Sequence, residues 1–277
     1  MKVLLLSDGT FVAQHTARRL IELGHVVLDI RGPDFPQSAG HGGWADAMME
    51  HAESFACDRV LCIAGPQSKS KSEGALSFST VVDRATEVAK ARGARFVLAT
   101  AAPRVAAARG AMWEFEQRVA RAAWHLGLDA GVCRLEGLYG GHSAGDERHP
   151  VLGPLVSAAI SSAALQIVAP WDGLHWPLHV RDAVDGVVKM LAADGPTQVR
   201  LAGATAYRTR DLVATVETIV GTPLSYTFDR LDERRSTHPP HISAARLLLR
   251  WRPRVGLFAG VEEQAFNDAI ADANRSD

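Results

Sequence analysis

The first half of the chain alternates short apolar runs with segments of helical periodicity, and this alternation constrains the fold more than any other feature. Each apolar run has the length of a buried strand, and glycines end three of the helical segments, at Gly24, Gly93 and Gly127. The predicted strands are Lys2–Leu6, Val26–Ile30, Arg59–Ala64, Arg95–Thr100 and Ala130–Leu135, and the predicted helices are His15–Leu23, Ala45–Phe55, Phe78–Arg92 and Met112–Leu126. This order is typical of βαβ units, so the sequence predicts an α/β fold with a Rossmann-like, doubly wound parallel sheet.

The pattern changes after Gly140, where a segment rich in Gly, His and Pro begins. We therefore predict a nucleotide-fold lobe over residues 1–140 and, over residues 141–277, a smaller lobe mainly for substrate. Helices and short strands alternate irregularly in this second half, and we expect some of its segments to return to the first lobe. The predicted helices are 152–164, 180–193, 209–220, 243–249 and 261–274, and the predicted strands are 166–168, 199–202 and 225–228.

Charge and composition exclude several classes of partner. The 30 basic and 31 acidic side chains nearly balance, so we expect neither nucleic acid nor an anionic membrane surface as the main partner. The apolar run Val3–Leu6 is too short for a signal peptide, and no stretch approaches the roughly 20 apolar residues of a membrane span. Three cysteines cannot all pair, which favours buried thiols and a cytoplasmic location.

The opening segment MKVLLLSDGTFVAQHTARRLIELGHVV resembles the start of NAD-dependent epimerase/dehydratase proteins, which are extended short-chain dehydrogenases/reductases. The family has the pattern T-G-x-x-G-F-I-G-S-H, whose glycines let the backbone approach a pyrophosphate. Aligned on the shared Phe and His, these glycines fall on Ser7, Thr10 and Ala13, while Gly9 lies between them and Asp8 adds a negative charge. We therefore expect that the chain holds no cofactor, with NAD or NADP as the alternative.

Asp29 follows Gly9 by about twenty residues, near the end of the second predicted strand. Folds of this kind carry there the acid that binds the adenosine ribose. If a nucleotide binds, Asp29 is the predicted ribose ligand, and Arg31 could favour a 2′-phosphate; otherwise Asp29 is an ordinary strand-end aspartate.

The family's catalytic Ser/Thr and Tyr-x-x-x-Lys positions are also replaced. RFVLATAAPRV resembles the family strand ending in Ser-Ser-Ala, and EQRVARAAWHLGLDAGVCRLEGLYGG resembles the stretch that ends in N-V-Y-G. By this alignment the serine position is Ala101, or Thr100 after a slip of one residue, the tyrosine position is Ala108 and the lysine position is Met112. Since the family uses the tyrosine as acid or base and the lysine to activate it, conventional hydride transfer is not expected.

The second half of the chain also contains segments that resemble family motifs. PLHVRDAVDGVVKMLAA resembles the family's R-D-F-V-H-V-D-D-V-A segment and retains His179 and Asp182. HISAARLLLRWRPRVGLFAGVEE resembles the D-I-S-K-A-R-R-L-L-G-W-x-P ending. The resemblance thus spans nearly the whole chain in family order and supports the predicted fold.

Polar residues that follow the strands are the candidates for chemistry, because ligands of open α/β sheets lie at the carboxyl ends of the strands. The predicted catalytic residues are Glu136, Tyr139, His142 and Thr100, with Glu136 the leading candidate for a base, although an arginine salt bridge is an equally simple role for it. The predicted substrate pocket contains Ala101, Ala108, Met112, Trp171, Asp172, His175 and Trp176. No metal is expected, since neither His142, Asp146 and His149 nor His238 and His241 have a standard ligand spacing.

Three functions remain open at this point. The first is a cofactor-independent isomerase, lyase or cyclase that moves a proton on a small organic substrate, by analogy in bacterial specialised metabolism. The second is a ligand-binding or partner subunit without catalysis, and the third a divergent NAD(P)-dependent oxidoreductase or sugar-nucleotide epimerase. The resemblance also implies a homodimer through the helices 78–92 and 112–126, with the apolar residues Phe78, Val81, Val82, Trp113, Phe115 and Val119.

Overall fold

A computed structural model describes residues 1–7, 10–31, 54–64, 73–101, 106–140, 151–228 and 239–276, with the backbone alone at 64, 73–80, 106–112, 271–272 and 274–276. The strands are β1 Lys2–Ser7, β2 Val26–Arg31, β3 Arg59–Ala64, β4 Arg95–Ala101, β5 Ala130–Leu135, β6 Leu138–Tyr139, β7 Leu165–Ile167, β8 Leu174–His175, β9 Leu178–His179, β10 Thr197–Leu201, β11 Tyr207–Arg208 and β12 Tyr226–Phe228. The helices are α1 Phe11–Glu22, α2 Glu73–Arg92, α3 Ala106–Leu126, α4 Leu152–Ser161, α5 Val180–Ala192, α6 Thr209–Val220, α7 Ser243–Leu248 and α8 Leu257–Ser276. The predicted helix 45–55 lies almost wholly outside the described residues.

Six parallel strands form the central sheet, in the order β10-β5-β4-β3-β1-β2. The predicted α/β, Rossmann-like architecture is confirmed. The chain runs from β1 outward to β2 and then crosses to β3 on the other side of β1, so the strand order reverses between β1 and β3. Ligands of such sheets bind in the crevice at this switch point, on the carboxyl side of the strands.

Side chains of successive strand residues face opposite sides of the sheet and enter two different cores. In β4, Val97 and Ala99 join the core beneath α1 and α5, whereas Phe96 and Leu98 join the core beneath α2 and α3. Both faces are therefore covered by helices, as a parallel sheet requires.

Helices α2 and α3 begin earlier than the sequence predicted, at Glu73 and Ala106. Four of the apolar residues assigned to a dimer interface, Val81, Val82, Phe115 and Val119, are buried in the core beneath these helices. That assignment is wrong for them, because the sheet itself needs this apolar face of the helix pair. Trp113 is 57% exposed, and the side chain of Phe78 is outside the described part of the structure.

The second half of the chain contributes both to the central sheet and to a separate core. Strand β10 pairs with β5 in the central sheet, and α5 packs beside α1. A third core joins α4, α6 and α8 with the short pair β7 and β12. The segment before α8 is fixed by Asp182, whose Oδ2 accepts the backbone N–H groups of Arg254 and Val255 at 2.9 Å each.

No helix among the described residues has the length and apolar character needed to cross a bilayer. Cys57, Cys62 and Cys133 are buried and unpaired, as predicted. Burial raises the pKa of each thiol above its ordinary value, so these cysteines act as core residues.

Candidate functional site

The N-terminus of α1 meets the end of β1 at the switch point, where the family's glycine positions lie. Ser7, Thr10 and Ala13, the residues that replace the glycines, are all buried. Thr10 caps the helix: its hydroxyl accepts the backbone N–H of Ala13 at 3.4 Å and so turns toward the first helical turn. Asp8 and Gly9 lie outside the described residues.

Asp29 lies on β2, two residues before the strand ends at Arg31. Its Oδ2 accepts hydrogen bonds from Arg31 Nε at 2.9 Å and Nη2 at 2.6 Å. The other oxygen, Oδ1, is buried and has no hydrogen-bond partner among the described residues. Because buried carboxylate oxygens are normally satisfied, Oδ1 is an acceptor that a ligand hydroxyl could use.

Thr100 ends in a buried polar network beneath α3. Its hydroxyl donates to Glu116 Oε1 at 3.0 Å, and Glu116 Oε2 accepts both Nε, at 2.6 Å, and Nη2 of Arg134 on β5. Thr100 and Glu116 are each 3% exposed. The predicted catalytic hydroxyl is thus already bonded within the fold, on the α3 side of the sheet.

The two positions that the alignment assigns to the family's catalytic tyrosine and lysine lie close together on α3. Ala108 and Met112 are four residues apart, so they lie one turn apart on one side of the helix. Ala101, the alternative serine position, is buried at the end of β4 in the core beneath α1 and α5. Ala101 and Thr100 therefore face opposite sides of the sheet.

Glu136 directly follows β5, at the carboxyl edge of the sheet. It forms an ion pair with Arg200 of β10, 3.0 Å from Nε to Oε1, rather than with the neighbouring Arg134. Burial raises the pKa of the Glu136 carboxyl above its ordinary value, and the positive charges of Arg200 and Arg134 oppose that rise. Glu136 can accept a proton more readily than an exposed glutamate, but its carboxylate is already engaged with a cation.

Tyr139 is buried against His179, which caps α5. The two rings meet edge to face with centroids 5.1 Å apart, and His179 Nδ1 accepts the backbone N–H of Arg181 at 3.3 Å. His179 Nε2 is buried and has no hydrogen-bond partner in the described part of the chain. Desolvation lowers the pKa of His179 to about 4, so the ring is neutral at physiological pH. His142 lies outside the described residues.

The predicted pocket residues of the second lobe separate into two groups. Trp171, 39% exposed, stacks on Tyr226 with ring centroids 6.1 Å apart and meets Phe228 edge-on at 4.8 Å. Asp172 instead pairs with two arginines, Arg208 at 3.1 Å and Arg210 at 2.9 Å.

His175 and Trp176 take part in the fold of the second lobe. His175 Nε2 lies 3.0 Å from the hydroxyl oxygen of Thr209, and the backbone carbonyl of Trp176 accepts the N–H of Gly203. Trp171, Tyr226 and Phe228 thus form a small aromatic cluster, and Trp176 is not among their ring contacts.

The sequence interpretation missed several residues that organise these sites. Arg200, Tyr226 and Phe228 lie far along the chain from their partners, and no local pattern marks them. Glu116 was recognised only as an alignment anchor, although a glutamate facing two polar strand ends on an otherwise apolar helix face was a usable signal. No group of three potential metal ligands occurs among the residues that the structure describes.

No sequence profile of a known family matches the chain, and no curated protein matches it in sequence. Solved structures resemble it over nearly its full length. The UDP-glucose 4-epimerase of Thermotoga maritima, solved with UDP-glucose, is 15% identical with a TM-score of 0.81, and 99% of this chain and 100% of that chain are covered. The UDP-glucuronic acid 4-epimerase of Bacillus cereus, solved with NAD, is 16% identical with a TM-score of 0.77, covering 100% and 98%. The UDP-glucose 4-epimerase of Thermus thermophilus, in complex with NAD, is 17% identical with a TM-score of 0.74, covering 97% and 99%.

The expectation of a protein without a cofactor is contradicted by these neighbours, two of which hold NAD. The physical reason lies in the residues that replace the glycines. Ala13 is a residue that the last position of the dinucleotide motif accepts, and Thr10 turns its hydroxyl toward the helix. Substitution of the glycines therefore does not by itself exclude a pyrophosphate.

At 15 to 17% identity, the likeness to these structures establishes the fold. It extends over both halves of the sequence, since nearly all of each chain is covered. The chain therefore has the fold of these UDP-sugar 4-epimerase structures, in agreement with the Rossmann-like α/β fold that the sequence predicted.

Proposed function

We propose that the chain binds a nicotinamide dinucleotide at the switch point between β1 and β3, together with a small organic substrate of the nucleotide-sugar class. The proposal is supported by the full-length likeness to sugar-nucleotide epimerases, several of which were solved with NAD or UDP-glucose. When bound, the nicotinamide supplies an acceptor and donor of hydride. The residues of this chain supply binding, orientation and proton transfer.

The observation that carries the proposal is the unpaired oxygen of Asp29. A carboxylate near the end of β2 is the usual ligand of the adenosine ribose in this fold, and Oδ1 of Asp29 is buried without a described partner. A ribose hydroxyl would satisfy this acceptor. The N-terminus of α1 would face the pyrophosphate with the positive end of its dipole.

Glu136 is the proposed proton acceptor for the substrate, with Tyr139, His142 and Thr100 as the other candidates from the sequence. Its raised pKa suits a base, and the ion pair with Arg200 would hold its carboxylate in place. Trp171, Tyr226 and Phe228 offer a surface on which a planar group of the substrate could stack.

Calorimetric titration of the purified protein with NAD(H) and NADP(H) tests the cofactor proposal. We expect micromolar affinity for at least one dinucleotide and a loss of about tenfold in Asp29→Asn, because an amide offers the ribose a weaker acceptor. Asp83→Asn, an exposed aspartate on α2 that pairs with Arg118, is the matched control and should leave binding unchanged. Failure of all four dinucleotides to bind at millimolar concentration contradicts the proposal.

A second candidate function is a ligand-binding or partner subunit without catalysis. It is favoured by the apolar residues at the acid and activator positions, Ala108 and Met112, and by the hydrogen bond that engages Thr100 with Glu116. Incubation of the dinucleotide-loaded protein with a panel of UDP-sugars distinguishes the two, with the ultraviolet absorbance of reduced nicotinamide and product analysis as readouts. If the protein converts a UDP-sugar, and Glu136→Gln abolishes this turnover without disrupting the fold, the result supports an enzyme. If a ligand binds without any turnover, the result supports a non-catalytic subunit.

We also propose that the chain forms a homodimer through α3. Trp113 and Trp124 are eleven residues apart on this helix, hence on nearly the same side, and they are 57% and 86% exposed. Exposed tryptophans are common anchors of protein interfaces. Sedimentation velocity should find a dimer that Trp124→Arg dissociates, whereas Leu247→Arg, at an 80% exposed position on α7, should leave it intact. A monomeric wild type contradicts this proposal.

The cytoplasm remains the proposed compartment. Cys57, Cys62 and Cys133 are thiols buried in the fold, without disulfides, which suits a reducing environment.

A further inference from the structure

The end of β2 carries a cation rather than a carboxylate. Arg31 is the last residue of the strand and lies in register with Ser7, the last residue of β1, so it stands at the carboxyl edge beside the switch point. Asp29 lies two residues earlier, on the same face of the sheet. The group nearest the crevice along β2 is therefore the guanidinium, with the carboxylate behind it.

The ion pair fixes this arrangement. Both Nε and Nη2 of Arg31 donate to the same oxygen of Asp29, at 2.9 and 2.6 Å, which restrains the plane of the guanidinium. The side chain of Arg31 is 41% exposed and that of Asp29 is 17% exposed. The guanidinium is therefore more exposed than the carboxylate at this point of the edge.

The hydrogen-bonding groups that Asp29 and Arg31 offer suit a ribose that carries a phosphate. A carboxylate that recognises an unmodified ribose accepts hydrogens from both hydroxyl groups, whereas here one oxygen of Asp29 is already occupied by Arg31. Oδ1 remains as an acceptor for a single hydroxyl. A guanidinium is the side chain best suited to a phosphate, and an arginine near the end of β2 accommodates a 2′-phosphate in this fold.

We infer that the dinucleotide site, if the proposed function holds, selects the 2′-phosphorylated cofactor, NADP(H), over NAD(H), with Arg31 as the specificity residue and Asp29 as its positioning residue. The chain would then differ in cofactor preference from neighbours that were solved with NAD.

Equilibrium binding tests this inference without any enzymatic turnover. Calorimetric titrations of the wild type with NADP+ and NAD+ at the same ionic strength should give at least tenfold tighter binding of NADP+. Arg31→Gln should remove most of this preference, because it should weaken the binding of NADP+ and leave the binding of NAD+ nearly unchanged. Arg31→Lys should restore part of the preference. Raising the salt concentration should weaken the binding of NADP+ to the wild type more than the binding of NAD+, because the contact of Arg31 with the 2′-phosphate is ionic.

Arg18→Gln is the matched control, since Arg18 is an exposed arginine on α1 that pairs with Glu22, and its loss should not change the ratio. Equal affinity for the two dinucleotides, or tighter binding of NAD+, overturns the inference and leaves the proposed function standing. The wild-type ratio alone decides this even where Arg31→Gln fails to fold. If neither dinucleotide binds, both the proposed function and this inference fail.

Discussion

The carboxylate of Glu116 on α3 holds the guanidinium of Arg134 on β5 through two donors, and the hydroxyl of Thr100 on β4 donates to its other oxygen. One buried side chain thus joins a helix to two adjacent strands beneath the carboxyl edge of the sheet. The hydrogen bond with Glu116 raises the pKa of Arg134, so this contact favours the charged form of the guanidinium.

Glu116→Ala should lower the free energy of unfolding by about 2–3 kcal/mol, because it leaves a half-buried guanidinium and a buried hydroxyl without their acceptor. Urea denaturation measures the change. Glu87→Ala, which removes an exposed ion pair with Arg84, should cost less than about 1 kcal/mol. Equal losses in the two variants would mean that the buried network contributes little.

Stability should fall with acidification because His179 is held neutral. In the unfolded chain its pKa returns to about 6.5, whereas burial lowers the native pKa to about 4. The unfolded state therefore binds the proton first, and stability present above pH 6.5 is lost as pH falls toward 4. Between pH 7.5 and 5 the loss due to His179 is about 2 kcal/mol.

Urea midpoints at several pH values measure this loss in the wild type and in His179→Asn, whose side chain also caps helices well. The stability of His179→Asn should depend less steeply on pH than that of the wild type. His125→Asn, at an exposed position near the end of α3, should keep the wild-type slope. Parallel curves of stability against pH for the wild type and His179→Asn would disprove the assignment of this loss to His179.

Gly260→Ala should destabilise the protein by about 1–3 kcal/mol, since α8 packs closely against the Tyr139–His179 pair. A methyl group at position 260 would clash with the hydroxyl of Tyr139 and would lie 2.8 Å from Cδ2 of His179. Tyr139→Phe removes the hydroxyl and should recover part of the loss in a double-mutant cycle. Gly256→Ala is the control, because no atom of the described residues lies within 4 Å of a Cβ there, and an equal effect at 256 would refute the close contact.

Asp182→Ala should release the segment before α8. The carboxylate of Asp182 accepts the amides of Arg254 and Val255, and its loss should cost about 3 kcal/mol. Hydrogen exchange at these two amides should accelerate. Asp185→Ala, which removes an exposed pair with Lys189 on the same helix, should leave their exchange unchanged. Persistent protection in Asp182→Ala would contradict this role.

Strands β1 to β5 were predictable because each contains a run of apolar residues and a glycine with positive φ ends the helix at Gly24, Gly93 and Gly127. The partners of Glu136 were not. A salt bridge with some arginine was foreseen, but its choice of Arg200 depends on β10 joining the sheet beside β5, and no spacing in the sequence encodes that pairing.

The cofactor expectation failed for a different physical reason. Missing glycines at positions 10 and 13 were interpreted as side chains in the path of a phosphate. A sequence does not give the direction of a side chain, and the hydroxyl of Thr10 turns toward the Ala13 amide. Asp29 and Arg31 were both noted from the sequence, yet only the structure reveals that they form an ion pair with each other.

Strand β10 and helix α5 have a practical consequence for anyone who wishes to study the proposed dinucleotide site on a smaller fragment. A polypeptide that stopped at Gly140 would lose the outermost strand of the sheet and the helix that covers Val97, Ala99 and Cys133. Those apolar side chains would then face water, and such a fragment should aggregate on expression. The two halves of this molecule are folded as one unit and have to be produced together.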